Sequence, residues 1–364
     1  MSEQALCLHE LSFAYPGGNQ VLANVSLSVP AGSFALLVGA TGSGKTTLLR
    51  LCKAEIAPVG ERVGELRVFG RDVSELSLQE SSRAVGYVFQ NPNNQIVCDS
   101  VWHELAFGLE NLGMPPQEMR LRIAETCYFL GIEPWFRRKT SELSGGQRQV
   151  LALAGALVMR PRILLLDEPL AMLDPVAGKS FLALLQRVHQ ELGTTVVVAT
   201  HNPRDLRSFA SQAFVVEAGA VREASLEEVC AEQSLVAEAA GGEHASGAAV
   251  AGARQGSACI RVTDAWLRYT REGSWVLRGL NIEVGEGEAR ALVGGNACGK
   301  STLLQLMART LKPQRGKLTN RHAACQALLP QDPKALLACE TVEDELCEWM
   351  SKPRSSSSRA RMEE

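Results

Sequence analysis

Phe34-Ala35-Leu36-Leu37-Val38 runs straight into Gly39-Ala40-Thr41-Gly42-Ser43-Gly44-Lys45-Thr46, and this junction decides the fold. The five apolar residues read as a strand buried on both faces, and the residues after Thr46 open a helical run. Between strand and helix, the glycine spacing and the Lys-Thr pair satisfy the phosphate-loop pattern in full. The glycines let backbone N–H groups turn inward around phosphate oxygens, and the helix N-terminus adds the positive end of its dipole. Lys45 is expected to neutralise the β- and γ-phosphate oxygens, and Thr46 offers a hydroxyl to Mg²⁺. Gly39, Thr41, Gly42, Ser43, Gly44, Lys45, Thr46 and the adjoining Thr47 are therefore the candidate nucleotide contacts.

Downstream, Arg162-Ile163-Leu164-Leu165-Leu166-Asp167-Glu168-Pro169 is a second buried strand that ends in two acids. Asp167 is placed to hold Mg²⁺ through its water shell. Glu168 is placed to polarise an attacking water, a role usually worth about 10²–10⁴-fold. A third apolar run, Val196 to Ala199, and a helical pattern over Leu182 to Leu192 imply a mainly parallel sheet covered by helices. More alternating segments before residue 33 and around Leu66 to Phe69 suggest an extra antiparallel layer, and residues 91–141 read as a separate helical lobe.

Leu143-Ser144-Gly145-Gly146-Gln147 is the most specific feature. Ser144 and Gln147 form an S-x-x-Q capping box, so bare N–H groups at the helix start can face an anion, and the two glycines allow close approach. With this segment the chain resembles the ATP-binding-cassette family, whose signature it is. The resemblance implies an α/β P-loop NTPase fold: a RecA-like parallel sheet core, an antiparallel β layer and a helical lobe. It also implies an ATPase using ATP and Mg²⁺, in which Ser144, Gly145, Gly146 and Gln147 cover the γ-phosphate bound by a partner cassette. It further implies that Tyr15 stacks on adenine, Gln90 senses Mg²⁺ and water, Leu173-Asp174 contacts the partner cassette, and His201 meets the γ-phosphate. Taken singly, Tyr15 also reads as a core aromatic, Gln90 as a turn residue and His201 as a satisfied histidine at a strand end.

Tyr87-Val88-Phe89-Gln90-Asn91-Pro92-Asn93-Asn94-Gln95 and the stretch Ser100 to Gly113 resemble the ATPases of energy-coupling-factor (ECF) importers, which bring vitamins and cobalt or nickel ions into prokaryotic cells. That resemblance implies an integral membrane transporter subunit as partner, docked on residues 91–113, and a peripheral location on the cytoplasmic face of the cell membrane. The transported substrate is not legible in this chain.

An imperfect repeat sets the organisation. Leu11 to Tyr15 followed by Val21 to Leu27 recurs as Ala265 to Tyr269 followed by Val276 to Ile282. The second copy carries its own loop pattern, Gly294 through Gly299-Lys300-Ser301, with Ala297 where the family usually has glycine. Gly294, Gly299, Lys300 and Ser301 are its candidate phosphate contacts. Gln331 and Thr341 to Leu346 match a glutamine loop and the start of a helical lobe. Far fewer positions follow Lys300 than separate Lys45 from His201, so the second copy is expected to be incomplete. A competent ATPase is then expected when two first cassettes pair as a homodimer, or when a separate ATPase subunit supplies the partner cassette. The expected domains are a complete cassette over 1–230, a flexible Ala/Gly linker over 231–257, a partial cassette over 258–350 and a disordered tail over 351–364.

Composition narrows the remaining classes. A chain of 364 residues with 46% hydrophobic content accommodates two packed domains. A net charge of −3 gives no basic excess, so nucleic acid is not an expected partner. The 10 cysteines are scattered without a CxxC pair and read as reduced thiols. No apolar run approaches the ~20 residues that span a bilayer. The rival functional readings are a non-transport cassette protein and a catalytically impaired nucleotide-binding module.

Overall fold

The computed structural model describes residues 3–230, 258–270, 273–295, 298–323, 326–330 and 337–349. The linker over 231–257, the tail over 351–364, Ala297 and Gln331 lie outside the described residues. The chain divides into two compact units, Met1–Gly247 and Ala248–Glu364.

In the first unit, six strands form one sheet in the order β10-β9-β3-β8-β7-β6. They are β3 (Phe34–Val38), β6 (Val85–Val88), β7 (Ile163–Asp167), β8 (Thr195–Thr200), β9 (Gln212–Glu217) and β10 (Ala220–Ala224). Only β9 and β10 pair antiparallel; the pairs β3/β8, β3/β9, β6/β7 and β7/β8 are parallel. Strand alternation splits the apolar runs between two cores. Phe34, Leu36, Leu164, Leu166, Val196 and Val198 face one cluster, packed with the helical lobe. Ala35, Leu37, Ile163, Leu165, Val197 and Ala199 face the other, packed with the antiparallel layer. Burial on both faces is why β3, β7 and β8 read as continuous apolar segments.

The antiparallel layer has the order β2-β1-β4-β5, from β1 (Gln4–Ala14), β2 (Gln20–Pro30), β4 (Glu61–Val68) and β5 (Arg71–Asp72). The helices are α1 (Lys45–Leu51), α2 (Leu78–Ala84), α3 (Val101–Asn111), α4 (Pro116–Leu130), α5 (Gly145–Leu157) and α6 (Pro175–Leu192). α6 starts earlier than the apolar pattern over 182–192 suggests, because Asp174 caps it and Pro175 fits its first turn. Strands β6 and β9 have no clear counterpart in the sequence reading.

The second unit contains β11 (Ala258–Leu267), β12 (Leu277–Gly285) and β13 (Arg315–Asn320), in the antiparallel order β12-β11-β13. This is the arrangement of β2-β1-β4 in the first unit. It also holds α7 (Lys300–Met307) and α8 (Val342–Trp349). Residues 289–293, which stand where β3 stands in the first unit, form no strand, and Val293 is 93% exposed. Among the described residues of this unit there is no parallel neighbour of the kind that pairs β3.

Candidate nucleotide site

The phosphate loop joins β3 to α1, and its shape depends on two glycines. A Cβ on Gly39 would sit 2.3 Å from the Val216 carbonyl oxygen and 2.8 Å from Ser43 Oγ. Gly44 caps α1 with φ 105°, in the left-handed region that favours glycine. Ser43 Oγ, packed beside Gly39, is buried without a hydrogen-bond partner. Lys45 is 5% exposed, and its Nζ donates to the carbonyls of Gly39 at 2.8 Å and Ala40 at 2.9 Å. Burial pushes its ammonium pKa down, while the charges of Glu168 and Asp167 hold it up.

The two acids at the end of β7 have different environments. Asp167 Oδ1 accepts from Thr46 Oγ1 at 3.0 Å, and Oδ2 accepts from Tyr87 Oη at 3.4 Å. Burial raises the pKa of its carboxyl, with the Thr46 hydrogen bond opposing and the Glu168 charge adding to the shift. A hydroxyl and a carboxylate meeting at the loop are hard oxygen donors that suit Mg²⁺, which keeps several waters and takes few protein ligands. Thr46 and Asp167 therefore fit that ion. Gln90, the third expected ligand, lies two residues beyond β6 and is exposed.

Glu168 bridges two further candidates. Its Oε1 lies 3.8 Å from Lys45 Nζ, and its Oε2 lies 2.9 Å from His201 Nδ1. Its backbone has φ 46°, unusual for a side-chain-bearing residue, and its N–H donates to the Ala199 carbonyl at 2.9 Å. The carboxylate thus stands between a lysine and a histidine, on a backbone conformation that side-chain-bearing residues seldom adopt. Tyr15 is 40% exposed, stands edge-on to Phe13 and hydrogen-bonds Thr47 Oγ1 through its hydroxyl at 3.1 Å. Its ring thus stands beside the first turn of α1, open to a flat ligand.

The signature residues sit apart from this constellation. Ser144 caps α5 with the full capping box, its Oγ accepting from Gln147 N and Gln147 Oε1 accepting from Ser144 N. A Cβ on Gly146 would meet Ala177 Cβ at 3.0 Å, so this glycine serves the packing of α5 on α6. Of the two signature glycines, Gly145 is thus the one with room beside its α-carbon. Asp174 caps α6, accepting from Val176 N at 3.0 Å and Ala177 N at 2.9 Å. Tyr87, missed in the sequence, joins the site because β6 pairs with β7 and brings its hydroxyl to Asp167.

The loop geometry recurs in the second unit. Lys300 Nζ donates to Gly294 and Gly295 carbonyls at 2.8 Å each, and Tyr269 Oη hydrogen-bonds Thr302 Oγ1 at 2.9 Å. Gly299 caps α7 with φ 97°. Ser301 follows Lys300 in the first turn of α7.

The family model described as ABC transporter matches residues 22–171 and 277–358, well over half of the chain. The chain belongs to the ABC transporter ATPase family. ATP hydrolysis coupled to transport is the general activity of these ATPases. A protein of Bacillus thuringiensis subsp. konkukian named as an ABC transporter ATP-binding protein is 36% identical over 345 residues, which cover 85% of this chain and 63% of the relative. The chain spans 62–63% of the length of the Bacillus relatives it matches. The energy-coupling factor transporter ATP-binding protein EcfA1 of Symbiobacterium thermophilum is 46% identical over 181 residues, 50% of this chain and 62% of that protein. Among solved structures, cbiO1 from Clostridium perfringens, part of the ABC transporter complex cbiONQ, superposes with TM-score 0.58 at 31% identity. It covers 65% of this ABC ATPase and 94% of its own chain.

Proposed function

We propose that this ABC ATPase hydrolyses ATP to energise an ECF-type importer of a vitamin or transition-metal ion. The observation that carries the catalytic part is Glu168, held between Lys45 and His201 at the mouth of the phosphate loop. The importer part is supported by the likeness to EcfA1 and to cbiO1.

In this reading the loop N–H groups and Lys45 bind the triphosphate, Lys45 exchanging two loop carbonyls for phosphate oxygens. Thr46 and Asp167 would hold Mg²⁺, which supplies charge neutralisation on the β- and γ-phosphates. Glu168 polarises the attacking water, Gln90 orients it, and His201 contacts the γ-phosphate while fixing the Glu168 carboxylate. Tyr15 stacks on adenine. The α5 N-terminus, with its Ser144 cap and the open Gly145, serves a phosphate of a second cassette. The hydrogen bonds between Ser144 and Gln147 close the capping box at that end of α5. A homodimer or a separate ATPase subunit supplies that cassette. The second unit is read as a further, partial cassette whose Lys300 loop can hold phosphate.

Residues 91–113 are the proposed docking surface for an integral membrane subunit, which places the chain at the cytoplasmic membrane face as a peripheral protein. Among the described residues no helix is long and apolar enough to cross a membrane. The test is to purify the tagged chain from gently solubilised membranes and identify its partners by mass spectrometry. A polytopic subunit together with a small substrate-binding membrane protein is expected. Recovery of soluble partners alone, or none, would sink the importer reading and leave a non-transport or impaired nucleotide-binding ATPase.

A further inference from the structure

The segment Gln90-Asn91-Pro92-Asn93-Asn94-Gln95 begins at the exposed Gln90 read above as a site residue, and its last residue makes extensive contacts. Gln95 uses its whole amide. Oε1 accepts from Phe89 N at 3.0 Å, and Nε2 donates to the carbonyls of Tyr87 at 3.3 Å and Ala152 at 3.0 Å. Ala152 lies in the middle of α5. Gln149, 1% exposed on the same helix, donates to the Phe89 carbonyl at 3.4 Å. A third link joins Arg148 Nη1 to Asn93 Oδ1 at 2.6 Å, and Asn91 caps the short 3-10 turn Pro92–Asn94 through the Asn93 N–H.

The backbone consequence is specific. β6 ends at Val88, and the next residue, Phe89, gives both its N–H and its carbonyl to glutamine side chains. Gln90 is therefore suspended from a peptide fastened to α5. The opposite end of α5 is the Ser144-Gly145-Gly146-Gln147 turn. A helix is a stiff rod, so a fixture at Gln149, about one turn from its N-terminus, and at Ala152, about two, would carry displacement to that end.

We propose that Gln95 is a positioning residue that locks the glutamine-loop backbone to the signature helix, so that Gln90 in one nucleotide site and the Ser144 helix end offered to the opposite site move as one body. The proposal rests on the reading of Gln90 and residues 144–147 as site elements given above. It explains why a polar amide, rather than an apolar residue, stands at the end of this turn: the Phe89 N–H, beyond the end of β6, would otherwise lose its partner.

The test uses the full chain, with Gln95→Leu, Gln95→Glu and Asn93→Ala. Gln95→Leu removes all three bonds. Gln95→Glu keeps the shape and the acceptor for Phe89 but loses both donors. Asn93→Ala, at an exposed position, cuts only the Arg148 link and is the variant least able to disturb folding. Two readouts are taken: steady-state ATP turnover, and amide hydrogen exchange of peptides 39–47, 86–95 and 143–152 with and without Mg-ATP. In the unaltered chain, nucleotide is expected to slow exchange in all three peptides. In both Gln95 variants, kcat is expected to fall by about tenfold with KM within about twofold. Protection of 39–47 should persist while that of 143–152 is lost. Asn93→Ala should fall by roughly twofold to threefold, on the scale of one surface hydrogen bond.

Unaltered kcat with joint protection of 86–95 and 143–152 in the Gln95 variants would overturn the lock. So would equal loss of protection in 39–47, which signifies general loosening. An unaltered chain without turnover would count against the function proposed above, and the exchange pattern alone would then decide for or against the lock.

Discussion

Glu168→Gln and His201→Ala test whether the carboxylate and the imidazole act as one device. The two side chains meet at 2.9 Å, with the Glu168 side chain 11% and the His201 side chain 56% exposed. Glutamine keeps the shape of Glu168 but cannot take the proton of water, so turnover should fall by about 10²–10⁴-fold. A hydrogen bond to a charged group is worth about 1.5–3 kcal/mol, and the exposure of His201 favours the lower end. About 1.4 kcal/mol corresponds to tenfold, so His201→Ala should lower kcat by roughly 10-fold through loss of orientation. If His201 acts mainly by fixing Glu168, the double variant is no slower than Glu168→Gln alone, because an oriented base that is absent needs no orienting. ATP affinity should survive in Glu168→Gln, since Lys45 retains its loop geometry. Losing the Glu168 charge leaves burial less opposed at Lys45, so the alkaline limit of ATP affinity should move to lower pH. The assay is phosphate release at saturating Mg-ATP together with equilibrium nucleotide binding from pH 6 to 10 or thereabouts. Multiplying losses in the double variant, or Glu168→Gln turnover within tenfold of the parent, would refute the arrangement.

Three further outcomes follow from the same geometry. Tyr87→Phe removes one of the two hydrogen bonds that oppose burial at Asp167, so its carboxyl pKa rises further; the carboxylate is lost as pH falls, and the acid limit of Mg²⁺-dependent nucleotide binding should move up in pH. Asp167→Asn should abolish Mg²⁺ dependence yet raise the melting temperature of the nucleotide-free protein near neutral pH. The raised folded-state pKa means that the folded chain binds this proton more tightly than the unfolded one, so the ionised carboxyl costs stability once pH exceeds it; calorimetry should find roughly 2–4 °C for each 1 kcal/mol relieved. Gly39→Ala places a methyl 2.3 Å from the Val216 carbonyl oxygen, so nucleotide binding should be lost along with about 1–3 kcal/mol of stability, measured by denaturant titration; unchanged ATP affinity would contradict the loop geometry.

What the sequence disclosed follows a physical division between local and tertiary determinants. The loop, the Ser144 cap and the strands β3, β7 and β8 are written in contiguous residues, because a phosphate nest, a capping box and a strand buried on both faces each impose a local pattern. β6 escaped because its four residues include Gly86 and Tyr87. A Cβ at Gly86 would meet Pro161 Cγ at 2.8 Å, so the glycine answers to packing from a distant segment that no local pattern reveals. Tyr87 and Gln95 escaped for the same reason: their partners, Asp167 and Ala152, are brought to them only by sheet order and by the seating of α5. The second unit sharpens the point. Residues 289–293 precede a phosphate loop as β3 does, and Lys300 and Tyr269 make the contacts of Lys45 and Tyr15. Yet they form no strand, because a parallel strand needs neighbours to take its N–H and carbonyl groups, and β8 and β9 supply these in the first unit alone among the described residues. A loop motif thus encodes its own curvature and its lysine contacts, whereas whether the segment before it becomes a strand depends on the parallel neighbours that the rest of the sheet supplies.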